Sequence, residues 1–276
     1  RGATPPDPHR LYEAAVQDAP HEVNLLERLL RRAGRQPLRL REDFSGTALL
    51  CAEWVRRGRD RTAVAVDLDP AVHAWARAHR LPELGDAAAR LRLLTADVRE
   101  PNGRGYDAVV ALNFSYCVFK TRDALRAYLR RARAALAPGG VFVLDVQGGW
   151  ESQKPLVESR RIRGGARYVW EQESFDPITH RLVAAIHFDV PGRPRLSHAF
   201  RYDWRLWTLP ELTELFTEAG LERIEVFWDV APSDDATKYA PRRSAANQAG
   251  WIAYVVGRRP DARGRGAAPR PERGAR

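Results

Sequence analysis

Three carboxylate positions fall at one recurring place, the end of a short apolar run. They are Glu42 or Asp43 after Leu38–Arg41, Asp67 after Thr62–Val66, and Asp97 after Leu91–Thr95. In an open α/β sheet, ligands bind outside the carboxyl ends of the strands, so a row of acids there faces a ligand. Between the first acid and a helix stands Phe44-Ser45-Gly46-Thr47. The first N–H groups of a helix lack intrahelical partners, and a glycine in the turn lets a ligand come close to backbone. Asp67 follows Gly46 by 21 residues. At that spacing an acid after the second strand hydrogen-bonds ribose hydroxyls. Leu68 stands beside it, and Asp97-Val98 belongs one strand further out, near a base. A pyrophosphate requires several glycines, yet Phe44 and Ala48 occupy places where glycines would be. The row therefore describes a pocket for a nucleoside without phosphates.

The run Glu42-Asp43-Phe44-Ser45-Gly46-Thr47-Ala48 resembles the first motif of the class I S-adenosylmethionine-dependent methyltransferases. It is nearest to the amino-group variant, Asp-Pro-Phe-any-Gly-Ser/Thr-Gly, and departs from it at Ala48. Leu136-Ala137-Pro138-Gly139-Gly140 also resembles that family. The stretches EDFSGTA, NFSY and YDWRLWTLPEL are similar to a group of its bacterial members. The resemblance covers roughly residues 36–150 and 208–257. It implies S-adenosylmethionine as cofactor and methyl transfer as the reaction. Glu42 (or Asp43, one residue on) with Phe44, Gly46 and Thr47 would face the methionine part. Asp67 and Leu68 would take the ribose, and Asp97 with Val98 would flank the adenine. Asn113-Phe114-Ser115-Tyr116 stands where methyltransferases of base amines carry Asn/Asp-Pro-Pro-Tyr/Phe. This makes Asn113 and Tyr116 the candidate catalytic residues, with Asn113 also against the cofactor. The missing prolines weigh against a base as acceptor. Asp145, Trp150, Trp170, His187, Tyr202, Trp204 and Trp207 are further candidates for the acceptor pocket. Trp204 and Trp207 also read as packing anchors, and His187 as a buried histidine of an apolar strand.

The elements that must position these residues alternate strand and helix as far as Val146, the pattern of a doubly wound, mostly parallel sheet. Two N-terminal helices in 1–35 precede it, a possible lid. The cofactor-binding core spans 36–149. Between Gly149 and Trp207 the helical pattern stops. Arg167–Phe175, Arg181–Val190 and Leu196–Trp207 read as a three-stranded antiparallel insert on the substrate side, 150–207. The core resumes over 208–257, where Thr208-Leu209-Pro210-Glu211 forms a capping box. The expected fold is α/β, a seven-stranded Rossmann-like sheet with its last strand antiparallel.

Apolar residues make up 44% of the 276, so a substantial core is available. No apolar run is long enough to cross a membrane, and no secretory signal is visible. The chain lacks methionine, so a little N-terminal sequence is expected to precede Arg1. Cys51 and Cys117 make neither a disulfide framework nor a metal cluster. They read as buried thiols of a cytoplasmic protein. Net charge is +10, of which the Arg-rich tail 258–276, expected to be disordered, holds +5. Only three of the 45 basic residues are lysine, which reads as compositional bias as much as a binding surface. The expected partner is a small-molecule acceptor, an amine being one candidate. The rivals are a tRNA or DNA base methyltransferase, a nucleoside-binding protein of the same fold without catalysis, and, remotely, an NAD-dependent dehydrogenase. Oligomeric state is not legible in the sequence.

Overall fold

A computed structural model describes residues 6–231 and 238–261. Helices α1 (Pro8–Val16) and α2 (Ala19–Arg32) open the chain, capped by Asp7 and Asp18 with a proline in each first turn. Then come β1 (Arg39–Asp43), α3 (Leu49–Arg56), β2 (Thr62–Asp67) and α4 (Pro70–Trp75). Asp69 caps α4 by accepting from the Ala71 amide. The coil then widens to a π-type turn over Ala76–Arg80 and tightens over Pro82–Arg90 before β3 (Leu91–Thr95). β4 (Tyr106–Ala111) is buried at every residue, as a central parallel strand must be. α5 (Arg122–Ala135), capped by Thr121, leads to β5 (Leu136–Gly148).

The chain then leaves the main sheet for β6 (Leu156–Arg161), β7 (Arg167–Asp176), β8 (Arg181–Asp189) and β9 (Leu196–Arg205). These pair antiparallel in sequence order as a separate sheet. α6 (Leu209–Glu218) restarts the main fold with both halves of the capping box present. β10 (Glu222–Asp229), β11 (Tyr239–Arg242) and β12 (Trp251–Arg258) follow. The main sheet runs β11-β10-β12-β5-β4-β1-β2-β3. β1 to β5 are mutually parallel, and β12 lies antiparallel between β5 and β10.

Each sheet has one strand more than expected, eight for seven and four for three. β6 escaped because five of its six residues are exposed, so it shows no apolar alternation. β11, Tyr-Ala-Pro-Arg, is a four-residue edge strand with a proline, a place where proline is tolerated. The Arg-rich tail lies outside the described residues from 262 onward. Arg258 still belongs to β12, and Arg259 donates to the carbonyl of Leu136.

The insert is no appendage. Leu182, Ala184 and Trp204 share one core with Val146, Trp207 and Leu212 of the main fold. A second core joins α2 and α3 to the other face of β1 and β4. β1 has β2 on one side and β4 on the other, with Asp43 level with Val66 and Ala111. Strand order reverses there, and a crevice opens at the carboxyl ends.

Candidate active site

The turn after β1 is shaped by three alternate left-handed residues, Phe44 (φ 58°), Gly46 (φ 53°) and Ala48 (φ 57°). The backbone thus takes a glycine-type path at all three positions, although only one is glycine. For the other two this costs ~1–2 kcal/mol each, so surrounding contacts must over-determine the turn. The Ser45 amide bonds the Val66 carbonyl at 3.0 Å. The Ser45 hydroxyl reaches His73 Nε2 at 3.4 Å, and His73 Nδ1 reaches Thr95 at 2.9 Å. Phe44 packs edge-on to Phe119 and Tyr128. At Gly46 a Cβ would meet nothing within 4 Å, so the space in front of the turn is open. The Gly46 N–H donates to Asp67 Oδ2 at 2.8 Å, which ties the turn to the second acid.

Phe44, Asp67, Leu68, Asp97 and Val98 line one pocket of about 410 Å³, joined by Arg99, Val118 and Phe119. Asp97 takes a backbone N–H and the guanidinium of Arg99, which holds its pKa below the usual carboxylate value. The one basic side chain here is therefore neutralised, and the pocket suits an uncharged nucleoside better than a phosphate. Val118 and Phe119 were not foreseen, because they sit in the irregular segment between β4 and α5, where periodicity carries no signal.

Glu42 and Asp43 are strand residues facing opposite ways, and only Glu42 keeps a carboxylate oxygen without a partner among the described residues. Both carboxylate oxygens of Asp43 are engaged, one by Arg41 at 2.7 Å and one by the Tyr128 hydroxyl at 2.8 Å. The ion pair is fully buried. Asp43 is thus a structural acid and leaves the list of ligand contacts. Glu42 is 4% exposed, and its Oε2 has no partner among the described residues. Burial pushes its pKa up to about 8, opposed by the thiol and amide of Cys51 at the start of α3. The charges of Asp67 and Asp43 raise it further, and its own charge raises Glu22 of α2. A buried carboxylate oxygen without a donor, beside a helix N-terminus, fits the ammonium of an amino acid moiety. The residues present therefore fit S-adenosylmethionine. Thr47 is buried against α1 and gives its hydroxyl to Glu13 Oε1 at 2.5 Å, so it holds α1 in place instead of pointing into the pocket.

At the end of β4, Asn113 and Phe114 are both left-handed (φ 56°). Their amides donate to Asp145 Oδ2 and Oδ1 of β5 at 2.8 and 2.9 Å. Asp145 is buried, which lifts its pKa to about 7 against those two hydrogen bonds. Asn113, Phe114 and Asp145 line a second pocket of about 380 Å³, roofed by Trp170, Tyr202 and Trp204 of the insert. Tyr12 and Glu22, from the two N-terminal helices, close its other side. Glu22 carries a carboxyl raised well above its ordinary value, first by burial and then by Glu42 and Asp145. It was missed, although it stands on the apolar stripe of α2 with Leu25, Leu26 and Leu29. An acid at such a position is the signal that would have found it.

The other acceptor candidates separate cleanly. Tyr116 is 1% exposed inside the main core and lines neither pocket, so it cannot touch an acceptor. Trp207 is buried with its ring N–H on the Phe119 carbonyl at 3.2 Å. Trp150 is an exposed residue outside both pockets. His187 is buried between Glu171 at 2.9 Å and the amide of His198 at 3.0 Å. That amide occupies the Nδ1 lone pair, so Nε2 carries the proton toward Glu171 and the His187 ring keeps no lone pair for a metal; of the Glu171-His187-His198 group only the exposed His198 ring does.

A family model described as a methyltransferase domain matches residues 45–142. Among curated proteins none matches the chain. The fold is shared with an S-adenosylmethionine-dependent methyltransferase from Clostridium acetobutylicum (TM-score 0.68, 14% identity, 91% of this chain and 97% of that one). It is shared equally with CalS10, an amino pentose methyltransferase from Micromonospora echinaspora (0.67, 20%, 94% and 99%). KedS8, a sugar N-methyltransferase from Streptoalloteichus, gives 0.65 at 21% identity over 95% and 96%. Residues 45–142 thus match a methyltransferase domain, and the chain has the fold of S-adenosylmethionine-dependent methyltransferases.

Proposed function

We propose that the protein transfers the methyl group of S-adenosylmethionine to an amine nitrogen of a small molecule. The observation that carries this reading is the lining of the pocket beyond β4. In a chain of net charge +10, that pocket is walled by Asp18, Glu22 and Asp145 together with an aromatic cluster. Trp170, Tyr202 and Trp204 stand 4.3–6.1 Å apart, centroid to centroid. Acids and aromatic faces are the two surfaces that attract an ammonium. Arg160, the one arginine there, is occupied by the Ala15 carbonyl and the Tyr168 ring. The structural neighbours support it: CalS10 is an amino pentose methyltransferase, KedS8 a sugar N-methyltransferase and MtfA a glycopeptide N-methyltransferase.

The chemistry asks little covalent help. The donor brings an activated sulfonium, and the protein's work is in-line placement and exclusion of water. Asp67 and the pocket around Phe44 would hold the nucleoside, and Glu42 the ammonium. An amine must shed a proton before it can attack. Asp145, buried and near pH 7, is placed to accept it. The Asn113–Phe114 turn, fixed by Asp145, would aim the lone pair.

A base in RNA or DNA fits this site less well. Nucleic acid is held through its phosphates by arginine and lysine, and the described walls of the cleft present carboxylates. A cytoplasmic location goes with this proposal, resting on two free, buried thiols. Among the described residues no helix is long and apolar enough to cross a membrane. The test is incubation with methyl-labelled S-adenosylmethionine and fractionated small-molecule and RNA extracts. Label in an amine fraction is expected; label confined to RNA, or none, would overturn the proposal.

A further inference from the structure

The acceptor pocket opens into a second chamber of about 720 Å³. Phe114, Gln147, Glu158 and Trp170 line both, so the two form one continuous cleft. The far wall is Trp228 of β10 against Trp251 of β12, with ring centroids 4.8 Å apart. Trp251 lies across Gly148, where a Cβ would come within 2.1 Å of its ring. Its Nε1 donates to Asn247 at 3.3 Å. The indole is therefore seated on a position that tolerates no side chain. At the junction of the chambers the Gln147 side-chain nitrogen is buried and has no partner among the described residues. A buried amide donor left unpaired is costly, and a bound acceptor oxygen would satisfy it.

The charge of this chamber is as informative as its shape. The chain has 45 arginines and lysines, yet none lines the chamber among the described residues. Its charged groups are Glu151, Glu158 and Asp229, of which among the described residues only Glu151 is paired with a cation, Lys154 at 2.8 Å. A phosphate placed here would face three carboxylates and no lining cation among the described residues. A sugar-like ring would rest its C–H face on the indoles and give its hydroxyls to the carboxylates and the glutamine.

We infer that the acceptor is a two-part, phosphate-free molecule. Its amine enters the inner pocket, and a hydroxyl-bearing ring joined to it fills the outer chamber between Trp170 and the Trp228–Trp251 pair. This rests on the amine reading above and extends it. The same wall refuses a phosphate-activated precursor of such an amine.

The test is calorimetry on protein saturated with S-adenosylhomocysteine, so that no turnover intervenes. Three probes are compared: glucosamine, its β-1,4-linked disaccharide glucosaminyl-glucosamine, and glucosamine 6-phosphate. The disaccharide is expected to bind at least ten-fold tighter than the single ring, and the phosphate more weakly than either. Trp251→Ala should remove the disaccharide's advantage while leaving glucosamine within two-fold. Gly148→Ala, which displaces the same indole, should do likewise. Unchanged S-adenosylhomocysteine affinity in both variants reports an intact fold. The inference is overturned if the phosphate binds as well as glucosamine, if the second ring adds nothing, or if no probe binds. Amine methylation in the labelling experiment together with any of these results would remove the extension and leave the proposed function standing.

Discussion

At the scale of single residues, the site is governed by carboxylates that the fold keeps from water. Glu42 is held at about 8 and Asp145 at about 7, each chiefly by burial. Both folded values lie above the ordinary ones, so the neutral forms favour the fold. That stability is complete below about pH 4 and is lost as pH rises through 7 and 8. The unliganded protein should therefore melt at lower temperature at pH 8 than at pH 6, by up to ~1.4 kcal/mol per pH unit per group. Glu42→Gln should flatten the slope, and a thermal-shift series that shows the wild-type slope in the variant would contradict this. S-adenosylmethionine should raise the melting temperature most at pH 8, where the ionised Glu42 gains a cation. Asp67 acts differently, through two oxygens that meet the Gly46 and Asp69 amides at 2.8 and 3.0 Å. Hydrogen bonds to a charged group are worth ~1.5–3 kcal/mol each. Asp67→Ala would release the turn at Gly46 and strip an acid from the nucleoside pocket, and is expected to weaken S-adenosylmethionine binding by ~10–100-fold, read by calorimetry; equal affinity would remove Asp67 from the site.

At the scale of elements, α1 joins the parts of the site. Glu13 receives the Thr47 hydroxyl from the first turn and the guanidinium of Arg80. Asp7 takes the Trp75 ring N–H at 2.7 Å. Tyr12 meets Phe200 at 4.8 Å and shares a hydrogen bond with Tyr202 of the insert. Thr47→Val removes one donor to a buried carboxylate and should free α1 by ~1–3 kcal/mol. Hydrogen exchange should then quicken over 8–16 but not over α5, and uniform exchange would count against a latch. Here the sequence was only partly legible. The strand–turn–helix around Gly46, the acids at 67 and 97 and the insert's position are local patterns, and they could be read. That Thr47 points away from the pocket, that Asp43 is engaged by Tyr128, and that Tyr116 is buried depend on residues 34, 85 and more positions apart. Periodicity is blind to such distances.

At the scale of the whole molecule, the insert and main sheet share one apolar core through Leu182, Trp204 and Val146. They should unfold together. Calorimetry is expected to show one transition, moved as a unit by S-adenosylhomocysteine, whereas two transitions would mean the insert is separately stable. The same molecule is basic overall and acidic along its cleft, and that contrast reaches beyond recognition. Methyl transfer leaves a neutral thioether and moves the donor's positive charge to the acceptor nitrogen, on the side of Glu22 and Asp145. Glu22, whose carboxyl is raised first by burial and then by Glu42 and Asp145, stands where that charge arrives, while the spent cofactor has lost its own. The spent cofactor should leave faster than the fresh one, and inhibition by product should be weak. Glu22→Gln is expected to narrow the gap between the two dissociation constants. The acids that draw the substrates in would thus also decide which of the two products leaves first, the neutral cofactor before the charged amine.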